Sequence, residues 1–382
     1  MAGIYIHIPF CKQACFYCDF HFSTSLKKKD TIIAAIIKEL ELRHETFTNT
    51  TVDTIYFGGG TPSLLSNAEL ESIIDAIYSN FTVHLNPEIT LEANPDDLTP
   101  RRIEQLSKTR INRLSIGVQS FFELHLKQMN RAHNAKEAKT CLTYATRYFN
   151  NITIDLIYGI PDMTMEQWQE NLDIALSFNV NHISSYALTV EPKTALDRFV
   201  KTGKYPPIDD TLALAHFNYL IKKTAEAGFV HYEISNFGKE HYFSRHNTAY
   251  WQGKPYLGVG PSAHSFSATT RRWNIANNTK YIEAITNNKL PSTVEHLSVQ
   301  DRYNEYIMTG LRTIWGVSLS KIESDFGVDY VTYLNKLSQS YINKGLLISV
   351  VLNIKNKQEQ VLKTTNKGKF LVDGIASQLF KI

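Results

Sequence analysis

Six apolar, β-favouring runs recur through the first half of the chain, at 3–8, 53–57, 88–95, 113–120, 151–159 and 182–189. Between them lie stretches whose apolar residues return every three or four positions, as Ile32, Ile33, Ile36, Ile37 and Leu40 do after the first run. That is the helix period. The units come at roughly thirty-residue intervals, and parallel strands need a helical crossover of about this length. Right-handed crossovers curl such strands into a barrel-like sheet. Eight units close a full barrel. Six predict an α/β fold built on a partial (β/α)6 TIM-like barrel, open on one side.

The C-terminal edge of such a sheet is where ligands and chemistry collect. There Pro9 ends the first run, and Cys11, Cys15 and Cys18 follow at spacings of four and three. The fourth cysteine, Cys141, lies in a helical pattern over Ala135 to Phe149 and reads as core. Clustered thiolates hold zinc, copper(I) or iron–sulfur clusters. A 4Fe–4S cluster normally takes four cysteines, so three leave one iron open to a ligand. The competing reading is a Cys3His zinc site closed by His21. A disulfide set is disfavoured, because three thiols cannot pair fully and no secreted pattern surrounds them.

The other strand ends carry further polar residues. Gly58-Gly59-Gly60-Thr61-Pro62 lacks the phosphate-loop pattern. It also misses the dinucleotide fingerprint, with Ser63 at the third glycine position. A plain tight turn is the alternative. Glu92 closes the third run and Gln119 the fourth, with Arg131 twelve residues further on. Asp155 interrupts an apolar strand, where an unpaired carboxylate costs several kcal/mol, about enough to demand a partner. A ribose hydroxyl would serve.

Beyond residue 190 the pattern is less regular, with a helix over Asp209 to Ala227 and then His246-Asn247-x-x-Tyr250-Trp251. The last part reads as three helices (Val299 to Ile314, Ser318 to Phe326, Tyr330 to Lys344), two strands (Leu346 to Leu352, Gln360 to Lys363) across a polar loop, and a helix from Asn366. This order is winged-helix-like α+β. The expected division is 1–190 for the barrel, 191–295 for an extension, and 296–382 for the C-terminal domain. Winged helices suggest DNA only by analogy, and 40 basic against 37 acidic side chains show no nucleic-acid binder. A lid or docking role is expected instead. The apolar run Ile32 to Ile37 is too short to span a membrane. The chain enters a strand almost at once, so no targeting segment and a cytoplasmic location are expected, where thiols stay reduced. Twenty Tyr and twenty Phe suit a flat hydrophobic ligand and equally an ordinary core.

Cys-x3-Cys-x2-Cys after a first strand, with Tyr17 before the third cysteine, resembles the radical S-adenosylmethionine superfamily. The resemblance implies a 4Fe–4S cluster on Cys11, Cys15 and Cys18, with S-adenosylmethionine on the fourth iron. It assigns Tyr5, Tyr17, Gly59, Gly60, Thr61, Glu92, Gln119, Arg131 and Asp155 to that cofactor. The longer string Ile4-Tyr5-Ile6-His7-Ile8-Pro9-Phe10-Cys11 resembles the oxygen-independent coproporphyrinogen III oxidase group, including its haem-chaperone branch. His246, Asn247, Tyr250 and Trp251 match that branch's HNxxYW motif, which implies a haem site; a packed domain junction is the other reading. Two departures set the chain apart from the oxidase. Phe20 stands where the oxidase has a further Cys, and the chain starts ten residues before Cys11 without the oxidase's N-terminal arm. The expectation is a haem chaperone of the radical S-adenosylmethionine family that delivers haem to acceptor haemoproteins. Radical decarboxylation of coproporphyrinogen III is the alternative and a zinc-stabilised interaction protein the third. A homodimer is left open.

Overall fold

The computed structural model describes residues 2–354 and 357–382. Each of the six apolar runs forms a strand: β1 (Ala2–Ile8), β2 (Val52–Gly59), β3 (Val83–Ala93), β4 (Arg113–Gln119), β5 (Ile152–Tyr158) and β6 (His182–Ala187). They lie side by side in chain order, every neighbour parallel. Three of the intervening helices start where the sequence offers a capping box. Ser66 and Glu69 form a reciprocal capping box, as do Asn134 with Glu137 and Thr164 with Gln167. Each box satisfies N–H groups that the first helical turn leaves without partners. Along β1, Ile4, Ile6 and Ile8 are buried against the helical layer, while Tyr5 and His7 alternate to the barrel interior. Cys141 is core, as expected.

The parallel run is one strand longer than the sequence predicts. After β7 (Val230–Glu233) and β8 (Asn236–Gly238), which add antiparallel beyond β6, the chain returns to the opposite edge. There β9 (Tyr256–Val259) pairs parallel with β1, Gly3 opposite Tyr256 and Ile6 opposite Val259. Then β10 (His264–Ser267), β11 (Thr270–Asn274) and β12 (Ser292–His296) extend that edge antiparallel. Seven parallel strands thus sit inside a twelve-stranded sheet. The edge is fastened from behind by Glu39, fully buried on helix Lys29–Leu42. It pairs with Arg43 at 2.8 Å and accepts from Tyr281 Oη at 2.7 Å and from Gly260 N at 2.9 Å.

The C-terminal part has its own apolar core around Tyr303, Ile307, Leu334, Leu362 and Ile375. Helices Val299–Leu311, Leu319–Phe326 and Val328–Asn343 precede a hairpin of β14 (Leu347–Ile354) and β15 (Lys357–Thr364), with short β13 (Val317–Ser318) pairing to β15. Both hairpin strands run further than expected into the polar stretch; positions 355–356 lie outside the described residues. Two short helices, Asn366–Lys369 and Val372–Gln378, end the chain. This domain leans on the barrel through Phe370 against Phe217, Lys369 Nζ on His231 Nδ1 at 2.8 Å, and Ile314 N donating to Tyr232 O at 3.0 Å. Among the described residues no helix is long and apolar enough to cross a membrane.

Candidate cofactor site

At the C-terminal edge of the parallel strands lies a cavity of about 450 Å³. Its lining includes Cys11, Cys15, Tyr17 and Cys18 from the loop after β1, and Gly59, Gly60 and Thr61 from the end of β2. Glu92, Gln119, Arg131 and Asp155 complete the set drawn from the later strand ends. Residues more than a hundred positions apart therefore converge because each stands at the same edge of one sheet.

The cysteine loop has little regular structure and is clamped from outside. Phe16 N donates to Met129 O at 3.2 Å, Gln13 Nε2 to Asn130 Oδ1 at 2.8 Å, and Asn130 Nδ2 to Ala14 O at 2.7 Å. Asn130 reaches back by adopting a left-handed backbone, φ +57°, which asparagine tolerates. The next residue, Arg131, places Nη1 3.3 Å from Cys15 Sγ and donates from Nη2 to Asn94 Oδ1 at 2.6 Å and Gly117 O at 2.8 Å. Its buried Nε has no protein partner among the described residues. Burial pushes the Cys18 thiol up to about 11 and raises that of Cys11. These thiols therefore ionise together with a bound cation rather than ahead of it.

The glycines form a cradle. Gly59 has φ +103°, and a Cβ there would sit 2.5 Å from His7 Nδ1. A Cβ on Gly60 would sit 2.5 Å from the Phe10 carbonyl oxygen. Only a chain without side chains can run this close beneath the cysteine loop while leaving its backbone open to a ligand. Gln119 is another backbone special, with φ +66°, and the β4–β5 register shifts between Gly117 and Gln119. Such an irregularity re-aims a strand-end side chain, here into the cleft.

Two carboxyls face the cavity from below. Glu92 accepts from Tyr56 Oη at 2.8 Å, and Asp155 takes Ser115 Oγ at 3.3 Å on each oxygen. Burial pushes Glu92 up to about 7, with the Asp155 charge adding to it. Burial also pushes Asp155 up to about 7, against the pull of Arg113 and of hydrogen bonds from Ser184 and Ser115. Arg113 is 1% exposed and opens β4 deep in the barrel. Its Nε and Nη1 have no hydrogen-bond partner among the described residues. The cleft is therefore short of charge compensation on its acidic floor and holds the Arg131 guanidinium in its wall. A zwitterionic ligand with hydroxyls would complement both.

Not every expected residue reaches the cavity. Tyr5 lies beneath its floor, stacked on Tyr56 at 6.1 Å, with its hydroxyl 3.3 Å from His7 Nδ1. His246, Asn247, Tyr250 and Trp251 form the short helix Arg245–Trp251, packed against the starts of β1 and β2. His246 is 1% exposed; Nδ1 is 2.7 Å from Thr54 Oγ1, and Nε2 is 2.8 Å from Tyr250 Oη. Its ring lies 4.9 Å from that of Tyr56, and burial holds its pKa down at about 3. With both nitrogens taken, the imidazole pins the barrel's lower end. His21 likewise stays out of the cavity lining, its Nε2 2.8 Å from Asn278 Oδ1. Among the described residues no three His, Cys, Asp or Glu side chains converge on one ion. Thiolates on separate irons of a cluster need no such convergence, whereas a Cys3His zinc ion does.

Sequence reasoning missed Asn94, Ser115 and Arg113. Asn94 and Ser115 both line the cavity. Asn94 was findable, standing two residues beyond Glu92 within the run 88–95. Arg113 looked like a strand's polar first residue, and nothing local marks it as interior.

The profile of the Radical SAM superfamily matches residues 5–175, and that of the HemN C-terminal domain matches 297–349. The structure of the coproporphyrinogen III oxidase HemN from Escherichia coli, a radical SAM enzyme, covers 100% of this chain and 90% of its own at TM-score 0.83. At 22% identity that likeness speaks for the fold. Fold and site together define a protein of the radical S-adenosylmethionine class. Among its relatives, the heme chaperone HemW of Bacillus subtilis is 31% identical, with 97% of both chains covered. The heme chaperone HemW of Lactococcus lactis is 32% identical over the same shares, and that of Mycobacterium tuberculosis strain H37Rv 33% identical with 84% of both covered. The chain belongs to the HemW family of haem chaperones.

Proposed function

We propose that this chain binds a 4Fe–4S cluster, S-adenosylmethionine and haem, and hands the haem to acceptor haemoproteins in the cytoplasm. The observation that carries the cofactor part is the convergence of three clamped thiols, a side-chain-free glycine cradle and an acidic floor short of charge compensation on one cleft. Cys11, Cys15 and Cys18 would hold the cluster. Glu92 and the Gly59–Gly60 backbone offer acceptors to an ammonium, Arg131 a positive charge to a carboxylate, and Asp155 an acceptor to a ribose hydroxyl. When bound, the cluster and S-adenosylmethionine supply one-electron chemistry. The protein's own work is to clamp the loop through Asn130 and Arg131, to place a positive charge beside Cys15, and to hold at the floor two carboxyls that burial pushes up to about 7. In this reading residues 1–190 carry the cofactors, 191–295 present the haem, and 296–382 dock against them.

The second reading, coproporphyrinogen III decarboxylation, draws on the HemN-like fold. Against it stands Phe20, 65% exposed at the cavity where the oxidase has a cysteine. Haem-loaded, cluster-reconstituted protein mixed anaerobically with an apo-haemoprotein tests the proposal. Transfer of haem with no protoporphyrinogen formed supports it. Multiple turnovers of coproporphyrinogen III would replace it with the oxidase reading.

A further inference from the structure

His246 has both ring nitrogens hydrogen bonded to protein, so an open imidazole has to be sought elsewhere on the chain. Three histidines have neither ring nitrogen hydrogen bonded among the described residues: His241, His264 and His296, all exposed. The others each have at least one ring nitrogen bonded to protein, as His21 does to Asn278 and His231 to Lys369. Of the three, only His264 has an aromatic ring packed against it, the indole of Trp273 at 6.2 Å and 27°.

The surroundings are set by strand register. His264 on β10 stands directly opposite Trp273 on β11, and Phe266, two residues on and so on the same face, stands opposite Tyr256 on β9. Phe266 stacks on Tyr256 at 6.2 Å, and Tyr256 packs on Tyr250 at 4.2 Å. The aromatic part of the His246–Trp251 helix therefore continues into a half-exposed aromatic face whose one open nitrogen ligand is His264. None of these residues lines the cofactor cleft. His264 is within electrostatic reach of His7, and His7 is the ring that a Cβ on Gly59 would strike. The indole, inclined at 27° to the imidazole, flanks that ring and leaves both nitrogens without a hydrogen bond among the described residues, as an axial ligand needs. Partial burial, and then the Arg271 charge, lower the pKa of His264, which favours the neutral, ligating form.

Resting on the haem-chaperone reading above, we propose that His264 is the axial ligand of the haem, with Phe266, Tyr256 and Tyr250 as the flat apolar wall beside the ring and Trp273 as the positioning residue for the imidazole. The haem then sits against the edge formed by β9 to β11, outside the cofactor cleft.

The test titrates ferric haem into the full-length, cluster-reconstituted protein and its variants, reading affinity and the Soret and electron paramagnetic resonance signatures of histidine ligation. His264→Ala should weaken binding at least tenfold and lose the histidine signature, with cluster content unchanged and with imidazole added in solution restoring the signature. His241→Ala and His296→Ala should match wild type. Should His264→Ala lose its fold, His264→Met keeps the bulk and replaces the ligand, and the spectrum should move to thioether ligation. A His264 variant that folds and keeps wild-type affinity and spectrum overturns the assignment and leaves haem binding itself standing. Wild-type haem binding with transfer lost in His264→Ala also overturns it, in favour of a protein-docking face. Wild type that takes up no haem overturns both this assignment and the chaperone reading.

Discussion

Replacing Glu92 by Gln separates the electrostatics of the cleft floor from its shape. Gln keeps the volume and the acceptor for Tyr56 Oη, and removes the charge. Burial moves the Glu92 carboxyl from 4.5 to about 7. At about 1.4 kcal/mol per decade, keeping it ionised in the folded chain costs about 3 kcal/mol. The sign follows from proton counting. Between pH 4.5 and about 7 the folded chain holds this proton and the unfolded chain does not, so stability falls as pH rises through that window. Below it the contribution is constant; above it the loss is complete. Asp155, moved from 3.8 to about 7, adds a fall of its own, so the wild-type slope belongs to the pair and only the difference between proteins isolates Glu92. Urea unfolding of cofactor-free protein from pH 4.5 to 8.5 reads it, taking the barrel transition separately from the C-terminal domain with its own core. The Glu92→Gln variant should gain about 3 kcal/mol on wild type between the two ends. Curves that stay parallel across the range would refute the claim that this carboxyl is buried without sufficient charge compensation.

Gly60→Ala places a methyl against the Phe10 carbonyl, so it should destabilise by about 1–3 kcal/mol and abolish cluster assembly, checked by melts and by iron content. Arg131→Lys keeps the charge and cannot hold both Asn94 Oδ1 and Gly117 O, because lysine lacks the planar fork. The cluster absorbance of that variant should bleach faster in air than wild type. His246→Ala leaves the Thr54 and Tyr250 hydroxyls unpartnered around a hole and should cost about 2–4 kcal/mol. Its haem affinity per folded molecule should equal wild type; a stable variant with weakened haem binding would return His246 to the haem site.

Much of the fold was legible because it is local and periodic. Each of the strands β1 to β6 is a contiguous apolar run followed by a helix, and the site residues at their ends need only strand direction to be gathered at one edge. What was illegible depends on distant partners. Tyr256–Val259 carries two of its four residues as Leu and Val beside Gly258, too short a signal to announce a parallel strand, and its partner β1 lies some 250 residues earlier. Arg113 looks solvent-bound in sequence, yet the parallel sheet buries both faces and carries it into the interior. The HNxxYW string was visible as a motif, but its burial beneath Gly3 and Thr54, with a Cβ on Gly3 meeting the imidazole at 3.1 Å, is a tertiary fact.

The account stands or falls on what the three thiols hold. Anaerobically reconstituted wild type, Cys15→Ala and Cys141→Ala should be assayed side by side for iron, sulfide and zinc. The account predicts about four iron and four sulfide per chain in wild type and in Cys141→Ala, with the oxygen-sensitive absorption absent from Cys15→Ala. Stoichiometric zinc without iron, or a cluster that survives loss of Cys15, would contradict it.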